Sequence, residues 1–239
     1  MALSFEHLVK KVVIYNPSFD TDKFKHSLEL LKEKDQKHPS INKNFYELGL
    51  EFLDVLVDLN MDSETLYAGA LYYPFVHNKI THEEVKKISE ELIPILDKLK
   101  KYRDYELSMQ SKEDMQKLIL AMTKDPRIII IRLAKHLLYL RERDNETPEQ
   151  RKTYAQASFD IYTPIAHKLG MHSIKSEIED LSFKELESKT YNEIQSKLEK
   201  LDRETQIIKV KAVIENELEK AGIKAQVYGR PKHIYSIWK

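Results

Sequence analysis

Arg127-Ile-Ile-Ile-Ile-Arg-Leu-Ala-Lys-His-Leu-Leu-Tyr-Leu-Arg-Glu142 follows directly on Asp125-Pro126. Ile128 to Ile131, Leu133, Leu137 and Leu140 leave it little polar surface, so the stretch predicts a central helix. The rest of the chain has the composition that such a helix needs around it. Of 239 residues only 5 are Gly and 8 are Pro, and Leu, Ile, Lys and Glu abound, which favours long helices over a sandwich or barrel.

Working toward the N-terminus, Ser111 with Asp114 predicts a helix whose inner face includes Met115, Leu118 and Ala121. Thr81 and Glu84 form a capping-box pattern ahead of Val85, Ile88, Leu92 and Ile95, with a kink or break expected at Pro94. Asp62 caps a helix through Ala70 and Leu71 that Pro74 should kink or end. Phe45, Leu48, Phe52, Val55 and Leu59 make one apolar face, and Phe24, Leu28 and Leu31 another, with a break at His38-Pro39-Ser40 between them. Toward the C-terminus, Thr147-Pro148-Glu149-Gln150 is a helix start, followed by Tyr154, Ala157, Ile161 and Ile165 on one face and an end near Gly170. A further helix spans His172 to Leu186, and Thr190 with Glu193 opens a long charged helix that Gly222 should stop. The mixed charges of Lys197 to Lys220 read as a solvated face. After Gly222 the pattern Ile223-Lys-Ala-Gln-Val-Tyr228 alternates as a strand does, and Gly229-Arg230-Pro231 is a turn. Lys224, Arg230, Lys232 and Lys239 are met there by no acidic residue.

Charge and composition narrow the function. The 39 basic and 39 acidic residues cancel, which argues against a generic polyanion binder. Without cysteine there is neither disulfide nor thiolate chemistry. Met1 to Lys11 lack a signal-peptide core, and no stretch approaches the ~20 apolar residues of a membrane span, so a cytoplasmic protein is expected. The 13 tyrosines, Tyr154 and Tyr162 among them, are expected to pack in or near the core rather than stack on bases. His77 and His82 beside Glu83 and Glu84 have no third ligand at suitable spacing, and His136 reads as a packed or surface histidine.

Two stretches carry a resemblance to a known family. Tyr228-Gly-Arg-Pro-Lys-His-Ile-Tyr-Ser-Ile-Trp-Lys239 resembles the opening motif of the (p)ppGpp synthetase domain of the RelA/SpoT family. Ile161-Tyr-Thr-Pro-Ile-Ala-His-Lys-Leu-Gly170, with Lys175, Glu177, Glu179-Asp180 and Phe183, is similar to the segment that joins that family's hydrolase core to its synthetase. The resemblance implies a fold that is mainly all-α. An HD-domain-like helical bundle would occupy residues 1–188, a connecting helix 189–222, and the first strand of a truncated α/β nucleotidyltransferase-like synthetase domain 223–239. It implies an enzyme that moves pyrophosphate from ATP to the 3′-hydroxyl of GTP or GDP, with Mg²⁺ as cofactor. Further domains of such an enzyme read the ribosome and uncharged tRNA. Arg230, Lys232 and Ser236 match the family's ATP-binding positions.

Active hydrolases of the family hold Mn²⁺ with a His, a His-Asp pair and a later Asp, and a Glu-Asp pair helps to activate water. At the matching positions this chain has Leu48, Tyr73, Pro74 and Lys135, and the Glu-Asp pair is His77-Asn78. Tyr139 and Glu142 replace an Asn and a Thr expected near the nucleotide. All four ligand positions are non-ligands, an arrangement that resembles the RelA branch, whose domain is retained without hydrolase activity. Lys135 is expected in the emptied pocket, near a carboxylate such as Glu142. The expectation is therefore a pseudo-hydrolase that holds no metal of its own and regulates the synthetase through its contacts. The rivals are a residual or altered metal-dependent hydrolase and a module for binding ribosome or another partner.

Overall fold

The structure, a computed structural model, describes residues 3–37, 43–108, 125–142 and 146–239. The helix expected from Ser111 and the break at His38-Pro39-Ser40 lie outside these residues. The chain divides into two compact units, Met1–Thr147 and Pro148–Lys239. This division falls ahead of the boundaries at 188 and 222 that the sequence reading used.

In the first unit, α1 (Phe5–Tyr15) starts on the side chain of Ser4, and α2 (Thr21–Glu33) on that of Asp20. Helix α1 buries Leu8 and Val12. Helix α3 (Phe45–Asp58) opens with a capping box between Asn44 and Glu47. Helix α4 (Ser63–Val76) is capped by Asp62 as expected, and every residue from Thr65 to Val76 is buried. A helix enclosed on all sides is a core helix, and α4 packs against both α2 and α3. Gly69 permits that approach, since a Cβ there would lie 2.6 Å from Leu56 Cδ1.

Pro74 does not end α4 on the spot, because it stands in the last turn, two residues before Val76, and forfeits a single ladder bond. The helix closes instead on Asn78, left-handed at φ 57, where Asn78 N–H donates to Phe75 O at 3.0 Å and Lys79 N–H to Pro74 O at 2.8 Å. The capping box of Thr81 and Glu84 starts α5 (His82–Lys86) as expected. The chain then breaks, and α6 (Leu92–Ser108) begins two residues before Pro94. A proline in a first turn lacks an N–H that has no helical partner there in any case. Helix α7 (Pro126–Arg141) is the apolar helix expected from the sequence, with Ile128, Ile131, Leu133, Leu137 and Leu140 buried along with Arg132 and His136. It shares the centre of the unit with α4, against which it packs.

The second unit is built round α10 (His172–Leu186), whose bounds match expectation. Ahead of it lie α8 (Pro148–Ala157), a π turn over Ser158–Tyr162, and α9 (Thr163–Lys168). The π turn is a departure from the expected single helix. Pro164 has no N–H for the ladder and its ring crowds the preceding turn, and the wider turn directly before it accommodates both. The extra residue shifts the inner face to Ala155, Ser158, Thr163 and Ala166, so Tyr154 is exposed, contrary to expectation, while Tyr162 is half-buried, as expected near the core. Gly170 and Gly222 both end helices at φ 70, as expected.

The long charged helix expected up to Gly222 is two helices, α11 (Ser188–Glu199) and α12 (Arg203–Lys220). Asp202 interrupts them by accepting from Thr205 N–H, a local cap that competes with helix continuation. Ile223–Tyr228 is not a strand: no sheet neighbour pairs with it among the described residues, and a strand exists only as part of a ladder. The chain ends in α13 (Ile234–Trp238). Among the described residues no helix is long and apolar enough to cross a membrane.

Candidate functional site

The positions that match the family's hydrolase residues gather on three helices of the first unit. Leu48 lies on α3 between Phe45 and Phe52, and all three are fully buried. Tyr73, on α4, stacks on Phe45 with ring centroids 6.0 Å apart and meets Phe52 edge-on at 6.0 Å. The ring of His77, the C-cap of α4, lies 4.9 Å from that of Phe45, tilted by 33°. Pro74 is buried beside Tyr73. Where the resemblance places an imidazole and a carboxylate, the space holds aliphatic and aromatic carbon. Burial holds the Tyr73 phenol well above its usual range, with the Tyr72 and Glu51 charges adding to the effect, so no phenolate ligand forms there near neutrality.

Lys135 is half-buried on α7. It acts on His77 together with Arg103 and Lys79: burial, then these three cations, push the His77 imidazole down to about 4. His77 is thus neutral near pH 7 and too weakly basic to take a proton from water efficiently. Asn78 serves the helix end, and its side-chain oxygen accepts from Lys100 Nζ at 2.5 Å. Arg103 donates to the carbonyl of Val76. The last turns of α4 are thus held by cations on α6, a contact that no local sequence signal announced.

Glu142 caps the C-terminal end of α7 and pairs with Lys43, which stands 2.7 Å from it and 2.5 Å from Glu51. Sequence reasoning placed Glu142 here but missed Lys43, which lies 99 residues earlier in the chain. Tyr139 is half-buried on α7, one helical turn beyond Lys135.

A divalent ion would need several carboxylates or imidazoles converging on one point. Leu48, Tyr73, Pro74 and Lys135 do not fit one: two are hydrocarbon, one is a buried neutral phenol and one carries positive charge. The nearby acids Glu51 and Glu142 already share a lysine. Among the described residues no group of three or more His, Asp or Glu is placed to hold a metal ion.

The second candidate site lies in the other unit and is of opposite character. Tyr228, Gly229, Arg230 and Lys232 are exposed, and Ser236 is half-buried on α13. Residues 227–232 run along α12, and with Arg203, Ile207, Val210 and Ile214 they line an open cavity of about 350 Å³. Gly229 makes that approach possible, because a Cβ there would lie 2.8 Å from Ile207 Cγ2. Arg203 donates to the carbonyl of Lys232 at 2.6 Å. Two exposed cations at the rim of a groove suit an anionic ligand.

Comparison with known proteins identifies the family. The family model of the HD domain matches residues 27–172. The chain is 31% identical over 220 residues to the GTP pyrophosphokinase of Escherichia coli (strain K12), covering 87% of this chain and 29% of that protein. It is 33% identical over 190 residues to the bifunctional (p)ppGpp synthase/hydrolase SpoT of the same organism, covering 77% and 27%. It is 32% identical over 247 residues to the guanosine-3′,5′-bis(diphosphate) 3′-pyrophosphohydrolase of Aquifex aeolicus (strain VF5), covering 99% and 35%. The chain thus spans roughly a third of the length of these curated relatives. An HD-domain match over more than half of the chain, together with these relatives, shows that the protein belongs to the RelA/SpoT family and carries that family's HD domain.

Proposed function

We propose that this chain is the N-terminal part of a GTP pyrophosphokinase of the RelA-like branch, and that its HD domain is a pseudo-hydrolase that regulates the synthetase. One observation carries the reading. Every position that would hold the hydrolytic metal is a non-ligand, and Leu48, Tyr73 and Pro74 are packed into the core of the first unit. Metal-assisted attack on a pyrophosphate needs a cation to lower the pKa of water and to offset phosphate charge, and nothing in the packed pocket would hold it. A domain without chemistry acts through differential contacts with two states of its neighbour. The exposed Arg230 and Lys232, with Ser236, are the part of the ATP site that this chain contributes. Mg²⁺, ATP and GTP belong to the complete synthetase, as do the regulatory domains that engage ribosome and uncharged tRNA.

The test is incubation of the chain with (p)ppGpp and Mn²⁺. No release of pyrophosphate is expected. Turnover that disappears on chelation would favour the altered-hydrolase reading, which the likeness to the Aquifex pyrophosphohydrolase supports. The regulatory role is checked by removing residues 1–147 from the full-length protein, which should change its basal rate of pyrophosphate transfer. Identical kinetics would count against it.

A further inference from the structure

The two stretches that resemble the family meet inside the second unit, and the polar part of the junction is made by one side chain, Asp180. Helix α13 begins at Ile234 with no side-chain cap of its own, since His233 in the cap position makes no such bond. Its first amide groups are satisfied from α10 instead. Asp180 Oδ1 accepts from Tyr235 N–H at 2.8 Å and Oδ2 from Ile234 N–H at 3.3 Å, 55 and 54 residues away in sequence. Oδ2 also stands 3.4 Å from His233 Nδ1. One turn further along α10, Phe183 packs under Trp238 at 4.7 Å and Tyr235 at 5.6 Å, and Phe159 of the π turn meets Tyr235 at 4.9 Å. The neighbouring Glu179 is not available for this task, because it is buried and paired with Lys175 at 2.8 Å.

A five-residue helix is far below the length that holds together alone in water. A cap within the motif itself would form wherever the motif went. A cap borrowed from α10 forms only while α13 sits on the bundle. We propose that Asp180 is a positioning residue of the basic motif: by capping α13 from α10 it fixes where Arg230, Lys232 and Ser236 stand, and makes their placement conditional on the helical bundle. This rests on the reading above that these residues serve ATP binding.

The cap is read directly by amide exchange and by Trp238, the single tryptophan of the chain. In Asp180→Ala the Ile234 and Tyr235 amides should exchange roughly five- to tenfold faster, as for loss of a cap, and Trp238 should become easier to quench with acrylamide. Asp180→Asn, which keeps one acceptor oxygen for two donors, should fall between. Adding His233→Asp to Asp180→Ala supplies a local cap and should restore amide protection, which separates loss of the cap from loss of the fold. Unchanged exchange and quenching in Asp180→Ala would overturn the proposal. In the full-length protein Asp180→Ala should raise KM for ATP more than it lowers kcat, and His233→Asp should reverse this. If Arg230→Ala raises that KM and Asp180→Ala does not, the positioning role falls. If Arg230→Ala and Lys232→Ala also leave it unmoved, the ATP reading falls instead, and the amide result alone decides the cap.

Discussion

The hydrolase-like pocket and the basic motif sit at opposite ends of one physical scale. In the pocket, Leu48, Tyr73 and Pro74 are buried, the first two among Phe45 and Phe52, and the half-buried Glu142 is held by Lys43. In the motif, Arg230 and Lys232 stand in solvent and the contacts that hold the segment are made mostly by other residues. On the proposed reading, the first site carries no chemistry and is packed for stability, whereas the second keeps its charges for a ligand. The two regions should therefore answer mutation in different currencies, stability in the first and binding in the second.

The sharpest way to break this comparison is to cut into the pocket. Phe52→Ala removes a fully buried ring that packs on Tyr72 and Tyr73, and should cost about 3–5 kcal/mol in urea denaturation. A loss below about 1 kcal/mol would show that the pocket is not packed core. A second measurement concerns pH. Burial and the neighbouring cations hold His77 at about 4, below its unfolded value of 6.5. Above pH 6.5 both states are neutral there and the stability is complete. Between 6.5 and 4 the unfolded chain binds the proton first, so stability declines by on the order of 1–3 kcal/mol. His77→Gln should flatten denaturation profiles across that window, and an unaltered slope would show that His77 is not enclosed as described.

Lys43→Met leaves Glu51 and Glu142 without their shared cation and should cost roughly 1–2 kcal/mol. Burial lowers the Lys43 pKa, but bonds to Glu142 and Glu51 outweigh it and the net shift is upward. The bridge should therefore be fully present below about pH 10 and fade as pH rises further, more steeply than in Lys43→Met. The smallest effect belongs to the motif: Arg230→Ala and Lys232→Ala should leave stability within about 0.5 kcal/mol of the parent. A larger loss by thermal denaturation would mean that these cations hold the fold and are not held in reserve.

Much of this was legible in the residues because it depends on local rules. The capping box at Thr81, the cap at Asp62, the helix start at Pro148, the glycine stops at Gly170 and Gly222 and the apolar run of α7 each involve neighbours within a few positions. Non-ligand chemistry at Leu48, Tyr73, Pro74 and Lys135 is likewise a property of residue type. Misreadings arose where competition was decided by context. Asp202 took the cap of a new helix, Pro164 forced a wider turn that moved the buried face, and Ile223–Tyr228 had the alternation of a strand without a partner to pair with.

By itself, then, the sequence determined that the chain is helical, where most helices begin and end, and that Leu48, Tyr73, Pro74 and Lys135 carry neither a carboxylate nor an imidazole. Only the tertiary structure decided what became of those positions, because the depressed basicity of His77 and the Lys43 bridge depend on charges brought together from remote parts of the chain. It also decided that Asp180 ends on the first amides of α13. Helix signals act over three or four residues, whereas such contacts are fixed by the packing of whole helices.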